Sequence, residues 1–246
     1  REAKETTGLP TMTEVATPHH LELAVKYGID IVWIGARTVV NPFSVQALAD
    51  AARGLDLPVF IKNPLAPDVK LWLGAVERME AAGIRHIGAI HRGFTDLAET
   101  KYRNAPLWEI PIELHRLRPN IPIITDISHI CGRRDILRET AQKALDLATD
   151  GFMIESHCNP ETALTDAKQQ VTPTALATML SGLTIRSRQS DTNEQILKEL
   201  RNQIDKIDDE ILSLLSKRMS VSSQIGILKK QNNLTVLQLD RWKNVL

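Results

Sequence analysis

Residues 121–135 read IPIITDISHICGRRD: a run of β-branched residues led by a proline, then an acid, a histidine, a cysteine and two adjacent arginines. Branching at Cβ favours the pleated backbone of a strand, and the polar cluster behind it reads as a loop. The same grammar recurs on both sides. Upstream lie PTMTEV (10–15), DIVWIGA (30–36), LPVFIKN (57–63) and RHIGAIHR (85–92), and downstream GFMIES (151–156). Between them run amphipathic segments of helical length, such as PHHLELAVKYG (18–28), PFSVQALADAARG (42–54) and DVKLWLGAVERMEAAG (68–83), each ending in a glycine suited to a helix C-terminus. Short strands alternating with helices build a parallel α/β sheet. A barrel of this kind closes with eight strands. The six runs found here therefore predict either an open sheet or a (β/α)8 barrel whose first two strands are absent from the chain.

In such a barrel the residues just past each strand's C-terminus share one mouth, where ligands bind. Nearly every run here ends in charge: Glu14, Arg37, Lys62, Arg92, then His129 and Glu155, with Asp166 a little beyond. Arg37, Lys62 and Arg92 suit a phosphate and a carboxylate, because guanidinium offers paired planar donors and lysine a compact charge. His129, Glu155 and Asp166 offer one nitrogen and two oxygen ligands, a set suited to Mn, Fe, Co or Zn. A single arginine after a strand is ordinarily a solvated loop charge. Six strands delivering ionisable groups to one rim point to a site.

The segments GLPTMTEV, IGART, FIKNP, DISHICGRRD and MIESHCNPETALTDAKQQVTP resemble the 3-deoxy-D-arabino-heptulosonate 7-phosphate (DAHP) synthases, in the branch without long N-terminal extensions. The resemblance covers residues 1–182, expected to be strands 3 to 8 of the family's TIM barrel. It implies condensation of phosphoenolpyruvate with erythrose 4-phosphate, aided by a divalent metal. By that likeness Arg37 and Arg92 bind the phosphate of phosphoenolpyruvate, Lys62 meets its carboxylate as a catalytic group, and His129, Glu155 and Asp166 are metal ligands. A cysteine ligand on the family's first strand and a Lys-Pro-Arg-Thr motif on its second are not in this chain. Cys131, two residues after His129, reads as a small buried thiol. Arg133 and Arg134 either face a phosphorylated substrate or hold the loop by ion pairs.

After VTPTALATMLSGL (171–183) the composition changes. TIRSRQSDTNEQ (184–195) is polar without periodicity, so 183–193 is expected to be a linker ending at a helix cap near Asp191 or Thr192. Leu197, Leu200, Ile204, Ile207, Ile211, Leu214, Arg218, Val221, Ile225 and Leu228 then fall at alternating steps of three and four, predicting one long helix with a heptad-like seam. QNNL (231–234) interrupts it, and VLQLDRWKNVL (236–246) is expected to begin a second helix. Arg218 lies in the apolar stripe, where an unpaired cation would be costly, so an anion should meet it. Lys229 is about 16 Å further along the axis and can share that anion, whereas Arg201, about 25 Å away, can join only from a partner's antiparallel helix.

The stretch LRNQIDKIDDEILSLLSKRMSVSSQIGILKK (200–230) resembles the first helix of the all-helical chorismate mutases. That likeness implies an all-α domain over 194–246, cut before its third helix, with an active site built across a homodimer or higher homo-oligomer. It places Arg201, Arg218 and Lys229 as catalytic contacts to chorismate or prephenate, Arg241 as a further basic position, and Gln238 where some relatives carry an acid. The whole then reads as a bifunctional, allosterically regulated enzyme of aromatic biosynthesis. The helical unit as a pure chorismate or prephenate sensor, the chain as an inactive fragment, and octulosonate 8-phosphate synthesis remain as alternatives.

Thirty Lys and Arg balance thirty Asp and Glu, which gives no general field for nucleic acid or an anionic membrane, so neither is an expected partner. No apolar run approaches the roughly 20 residues of a spanning helix, and REAKETTGLP lacks a signal peptide's apolar core, so a cytoplasmic location is expected. Two cysteines are too few for a disulfide framework.

Overall fold

The computed structural model describes residues 2–96, 98, 100–186 and 194–238. The chain divides into two units, Arg1–Arg186 and Ser187–Leu246. In the first, α1 (Glu2–Thr7) leads into β1 (Met12–Val15), α2 (Pro18–Lys26), β2 (Ile31–Ile34), α3 (Ala36–Val39), α4 (Pro42–Ala52), β3 (Val59–Lys62), α5 (Val69–Ala81) and β4 (Ile87–His91). There follow α6 (Glu109–Leu117), β5 (Ile123–Asp126), α7 (Ile127–Cys131), α8 (Leu137–Asp146), β6 (Gly151–Met153) and α9 (Pro173–Ser181). The strands lie side by side in chain order, β1 to β6, every pair parallel. This is a right-ordered arc of (β/α) units, and among the described residues no pairing joins β6 back to β1. All six runs read from the sequence are strands.

Local chemistry explains the element ends. Thr17, Asn41 and Asp68 cap α2, α4 and α5 by accepting hydrogen bonds from backbone N–H groups of the first turn, with Pro18 and Pro42 preset for helix entry. Gly28, Gly54 and Gly83, beyond those three helices, have φ of +71°, +78° and +88°, the left-handed geometry that lets the chain turn back toward the next strand.

The larger core cluster lies between β1–β5 and α2–α6, with Trp72, Ile61, Ile34 and Leu48 almost completely buried. Trp72 still satisfies its indole by donating to the Ile61 carbonyl (3.0 Å). A second cluster gathers Ile127, Ile130, Cys131, Leu137, Ala141 and Val171 beneath the β5 loop. Cys131 is the expected buried thiol: its Sγ sits 3.2 Å from Thr140 Oγ1, and burial pushes its pKa up to about 11, which keeps it protonated and inert.

In the second unit α10 runs Glu194–Gln231 as a single helix of 38 residues, as the three-and-four spacing requires. None of its residues is buried within the chain, and the seam residues from Leu197 to Leu228 are roughly half exposed. Residues 232–238 are not helical, and 239–246, which hold most of the expected second helix, lie outside the described residues, as do the cap candidates Asp191 and Thr192. No described helix is long and apolar enough to cross a membrane.

Candidate active site

Parallel pairing puts every strand's C-terminus on one edge of the sheet, and the ionisable side chains gather there. Glu14 is in β1 and accepts from Trp33 Nε1 at 3.2 Å. Its carboxylate lies over Gly35, where a Cβ would fall 2.1 Å from Glu14 Oε1 and the flexible Glu14 side chain would have to swing aside. Arg37 is exposed on α3, the last residue of β3 is Lys62, and Arg92 follows β4 directly.

Lys62 and Arg92 are buried cations with definite partners. Lys62 Nζ is 2.9 Å from Asp126 Oδ2, and it also lies over the Trp33 ring, 5.8 Å from the centroid. Arg92 donates through its backbone N–H to Asn63 Oδ1 (2.6 Å) and through Nη1 to Asn104 Oδ1 (2.9 Å). Burial pulls the Arg92 guanidinium below its ordinary pKa, and the nearby charges of Arg103 and Arg37 act in the same direction, against the pull of Asp126 and Asp166. Such an arrangement holds excess positive charge that an anion would relieve.

The last strands supply the other half. His129, Glu155 and Asp166, all partly buried, offer ligand atoms that lie within 4.8 Å of one another. His129 is on α7, a short helix whose N-cap is Asp126: the Asp126 carboxylate accepts the His129 N–H at 3.1 Å. The Asp126 Oδ2 also lies 2.9 Å from His129 Nδ1 but off the line of a hydrogen bond, so Nδ1 remains without a hydrogen-bond partner among the described residues. His129 Nδ1 is 3.6 Å from Glu155 Oε1. Burial would push the Asp126 carboxyl up, yet the His129 and Lys62 contacts outweigh it and hold Asp126 below the ordinary carboxylate range. Burial raises the Glu155 pKa, opposed in part by a hydrogen bond from Gln169. One imidazole and two carboxylates, with an imidazole nitrogen lacking a donor or acceptor, fit a divalent cation of intermediate hardness.

Arg133 and Arg134 both have protein partners in this structure. Arg133 pairs with Asp135, and Arg134 reaches Glu161 Oε1 (2.8 Å) and the carbonyls of Gln170 and Ala167 (both 2.6 Å). Both ion pairs lie within the loops at this edge, and a phosphorylated substrate as a further partner of either arginine is left to the proposal below. In the helical unit Arg201, Arg218 and Gln238 are exposed. The Lys229 ammonium donates to the Val236 carbonyl at 2.8 Å. Arg241 lies outside the described residues.

Asp126, Arg103, Asn104 and Gln169 are further members of the site that the sequence reading did not single out. Asp126 could have been found by the strand-end rule, since it is the final residue of β5. Arg103, Asn104 and Gln169 come from irregular segments with no periodic signal.

A parallel (β/α) arc with cations and a His–Glu–Asp cluster on its C-terminal edge defines a barrel-type enzyme fold with a mouth suited to an anion beside a metal ion. The chain belongs to the DAHP synthetase I family, whose pattern matches residues 1–191, and residues 200–246 match the chorismate mutase type II family. The phospho-2-dehydro-3-deoxyheptonate aldolase of Thermotoga maritima is 29% identical over 171 residues, which is 70% of this chain and 48% of that protein. A bifunctional chorismate mutase/prephenate dehydratase of Aquifex aeolicus is 43% identical over 49 residues, 20% of this chain and 14% of that one. The crystal structure of a Thermotoga maritima DAHP synthase superposes with a TM-score of 0.66 at 26% identity, covering 74% of this chain and 52% of the other. The chain thus spans about half the length of the curated aldolase it matches.

Proposed function

We propose that the protein containing this chain condenses phosphoenolpyruvate with erythrose 4-phosphate to DAHP and phosphate, and that its helical unit rearranges chorismate to prephenate. The observation that carries the first activity is the pairing of buried cations with a His–Glu–Asp cluster along one sheet edge, in a chain of the DAHP synthetase I family.

Arg37, Lys62 and Arg92 orient phosphoenolpyruvate, the two guanidiniums at the phosphate and Lys62 at the carboxylate. Asp126, 2.9 Å from the ammonium, holds Lys62 in place. A phosphorylated substrate is a further partner open to Arg133 and Arg134. His129, Glu155 and Asp166 hold the divalent metal, one of Mn, Fe, Co or Zn, which when bound supplies Lewis-acid polarisation of the sugar aldehyde. C3 of phosphoenolpyruvate adds to the aldehyde carbon, water adds at C2, and phosphate departs with the C2–O bond, so the atoms of both substrates and one water are accounted for.

The mutase reaction needs no covalent step. Cations hold chorismate in a compact conformer and stabilise charge developing on its ether oxygen. Arg218 and Lys229 of one subunit, with Arg201 of a partner, are assigned this role in a homodimer, joined by Gln238 and Arg241.

Phosphoenolpyruvate consumption should be assayed with erythrose 4-phosphate and, separately, with arabinose 5-phosphate, alongside loss of chorismate. Turnover with the four-carbon sugar and of chorismate is expected. Preference for the five-carbon sugar would move the barrel to octulosonate synthesis, and chorismate binding without turnover would make the helical unit a sensor.

A further inference from the structure

One guanidinium ties together both carboxylates of the cluster. Arg103 Nη1 donates to Asp166 Oδ1 at 2.6 Å and to Gln169 Oε1 at 2.8 Å, and the Gln169 amide nitrogen donates onward to Glu155 Oε2 at 2.9 Å. The amide can take only this orientation. Flipped, its NH2 would face the guanidinium and its oxygen the carboxylate. Gln169 is 1% exposed, so water cannot replace these partners. The chain of bonds occupies Glu155 Oε2 and leaves Oε1 directed toward His129 Nδ1.

Arg103 is itself seated firmly. Its N–H donates to the Ile130 carbonyl at 3.0 Å. Gly132, at φ +65°, passes so near that a Cβ there would lie 2.4 Å from Arg103 Cβ. The neighbouring Asn104 donates to the His129 carbonyl at 2.6 Å and accepts from Arg92 at 2.9 Å. The connection between β4 and α6 therefore touches the segments that carry His129, Glu155, Asp166 and Arg92.

We propose that Gln169, with Arg103, is a positioning residue that presets the Glu155 and Asp166 carboxylates for a divalent cation. The inference rests on reading His129, Glu155 and Asp166 as the metal site. Partners that orient metal ligands from behind commonly matter 10- to 100-fold for affinity. Gln169 is the residue to change, because it is neutral: removing Arg103 would also remove a positive charge near the cation and confuse the sign.

The test is Mn2+ binding to the intact protein, followed by calorimetry and by the Mn2+ electron spin resonance signal, with thermal melting of the metal-free variants. His129→Ala should lose binding. Gln169→Met should weaken Mn2+ by about 10- to 100-fold while the metal-free melting temperature stays within a few degrees of wild type. Should Gln169→Met fail to fold, Gln169→Asn withdraws the same amide by one methylene from both partners and is expected to weaken binding in the same direction. Affinity within twofold of wild type in the folded Gln169 variant, where His129→Ala has lost binding, overturns the inference alone. Wild-type affinity in His129→Ala overturns the metal-site reading and this inference with it.

Discussion

Lys62 Nζ and Asp126 Oδ2 lie 2.9 Å apart, on strands separated by β4, with side-chain exposures of 9% and 0%. A pair so enclosed is held by mutual need: either charge left alone would be buried without compensation. Asp126→Asn keeps an oxygen to cap α7 but sets a neutral amide against the ammonium. It should cost about 3–5 kcal/mol of unfolding free energy. Adding Lys62→Met in that background should return part of the loss. A double-mutant cycle by urea unfolding measures the coupling, and simple additivity would show that the pair contributes nothing specific.

Arg92 is placed for an anion by its backbone as well as its side chain, since Asn63 and Asn104 each hold one part of it. Arg92→Lys retains a charge but loses the planar fork, so the KM for phosphoenolpyruvate should rise by roughly tenfold or more, in line with a lost charge-assisted bond of about 1.5–3 kcal/mol. Asn104→Ala should shift the same constant by less. Steady-state kinetics at fixed erythrose 4-phosphate decides, and an unchanged KM in Arg92→Lys would remove Arg92 from the anion site.

His91 faces the other side of β4, wholly buried, with Nε2 2.7 Å from the Pro106 carbonyl and its ring against Trp108 beside a cavity of about 140 Å3. Burial lowers its pKa from 6.5 to about 4. The folded state therefore favours the neutral ring, and the unfolded chain takes up the proton first as pH falls. Stability contributed by neutral His91 is complete above pH 6.5 and is lost progressively between about 6.5 and 4, at up to about 1.4 kcal/mol per pH unit. Urea unfolding at a series of pH values should show this slope in wild type. His91→Gln, which can still donate to Pro106, should flatten it.

Much of the fold was legible because its signals are local. Alternation of short β-branched runs with capped, glycine-terminated helices is written within windows of ten to twenty residues, and each of the six runs became a strand. The ends of those strands could be read for the same reason, which brought Arg37, Lys62, Arg92, His129 and Glu155 into view. What the sequence could not show are contacts between irregular segments far apart in the chain. Arg103 reaches Gln169 across 66 residues and Asn104 reaches His129 across 25, with no repeat or spacing to betray either. The Arg134 contact to Glu161 was hidden for a related reason: it spans 27 residues between two loop segments.

The helical unit poses the opposite problem, with a clear pattern and no buried residue along α10. Seam residues such as Ile204, Ile211 and Ile225 are 56%, 48% and 49% exposed, and Arg218 stands among them. An apolar stripe over a helix of 38 residues is a cost in water unless another surface covers it. Arg201 and Arg218 are 17 positions apart, about 25 Å along the axis, too far to grip one small dianion from the same helix. An antiparallel second copy would bring Arg201 of one chain to Arg218 of the other. Arg201→Ala and Arg218→Ala should each nearly abolish mutase turnover when pure. Mixed and allowed to exchange subunits, they should form heterodimers with one intact site and one doubly defective site, so activity should return to at most half that of wild-type dimer for each heterodimer formed. Chorismate consumption after exchange verified by mass spectrometry is the measurement. No recovery would place both arginines in one protomer's site or remove Arg201 from catalysis, and would favour a ligand-sensing role for α10.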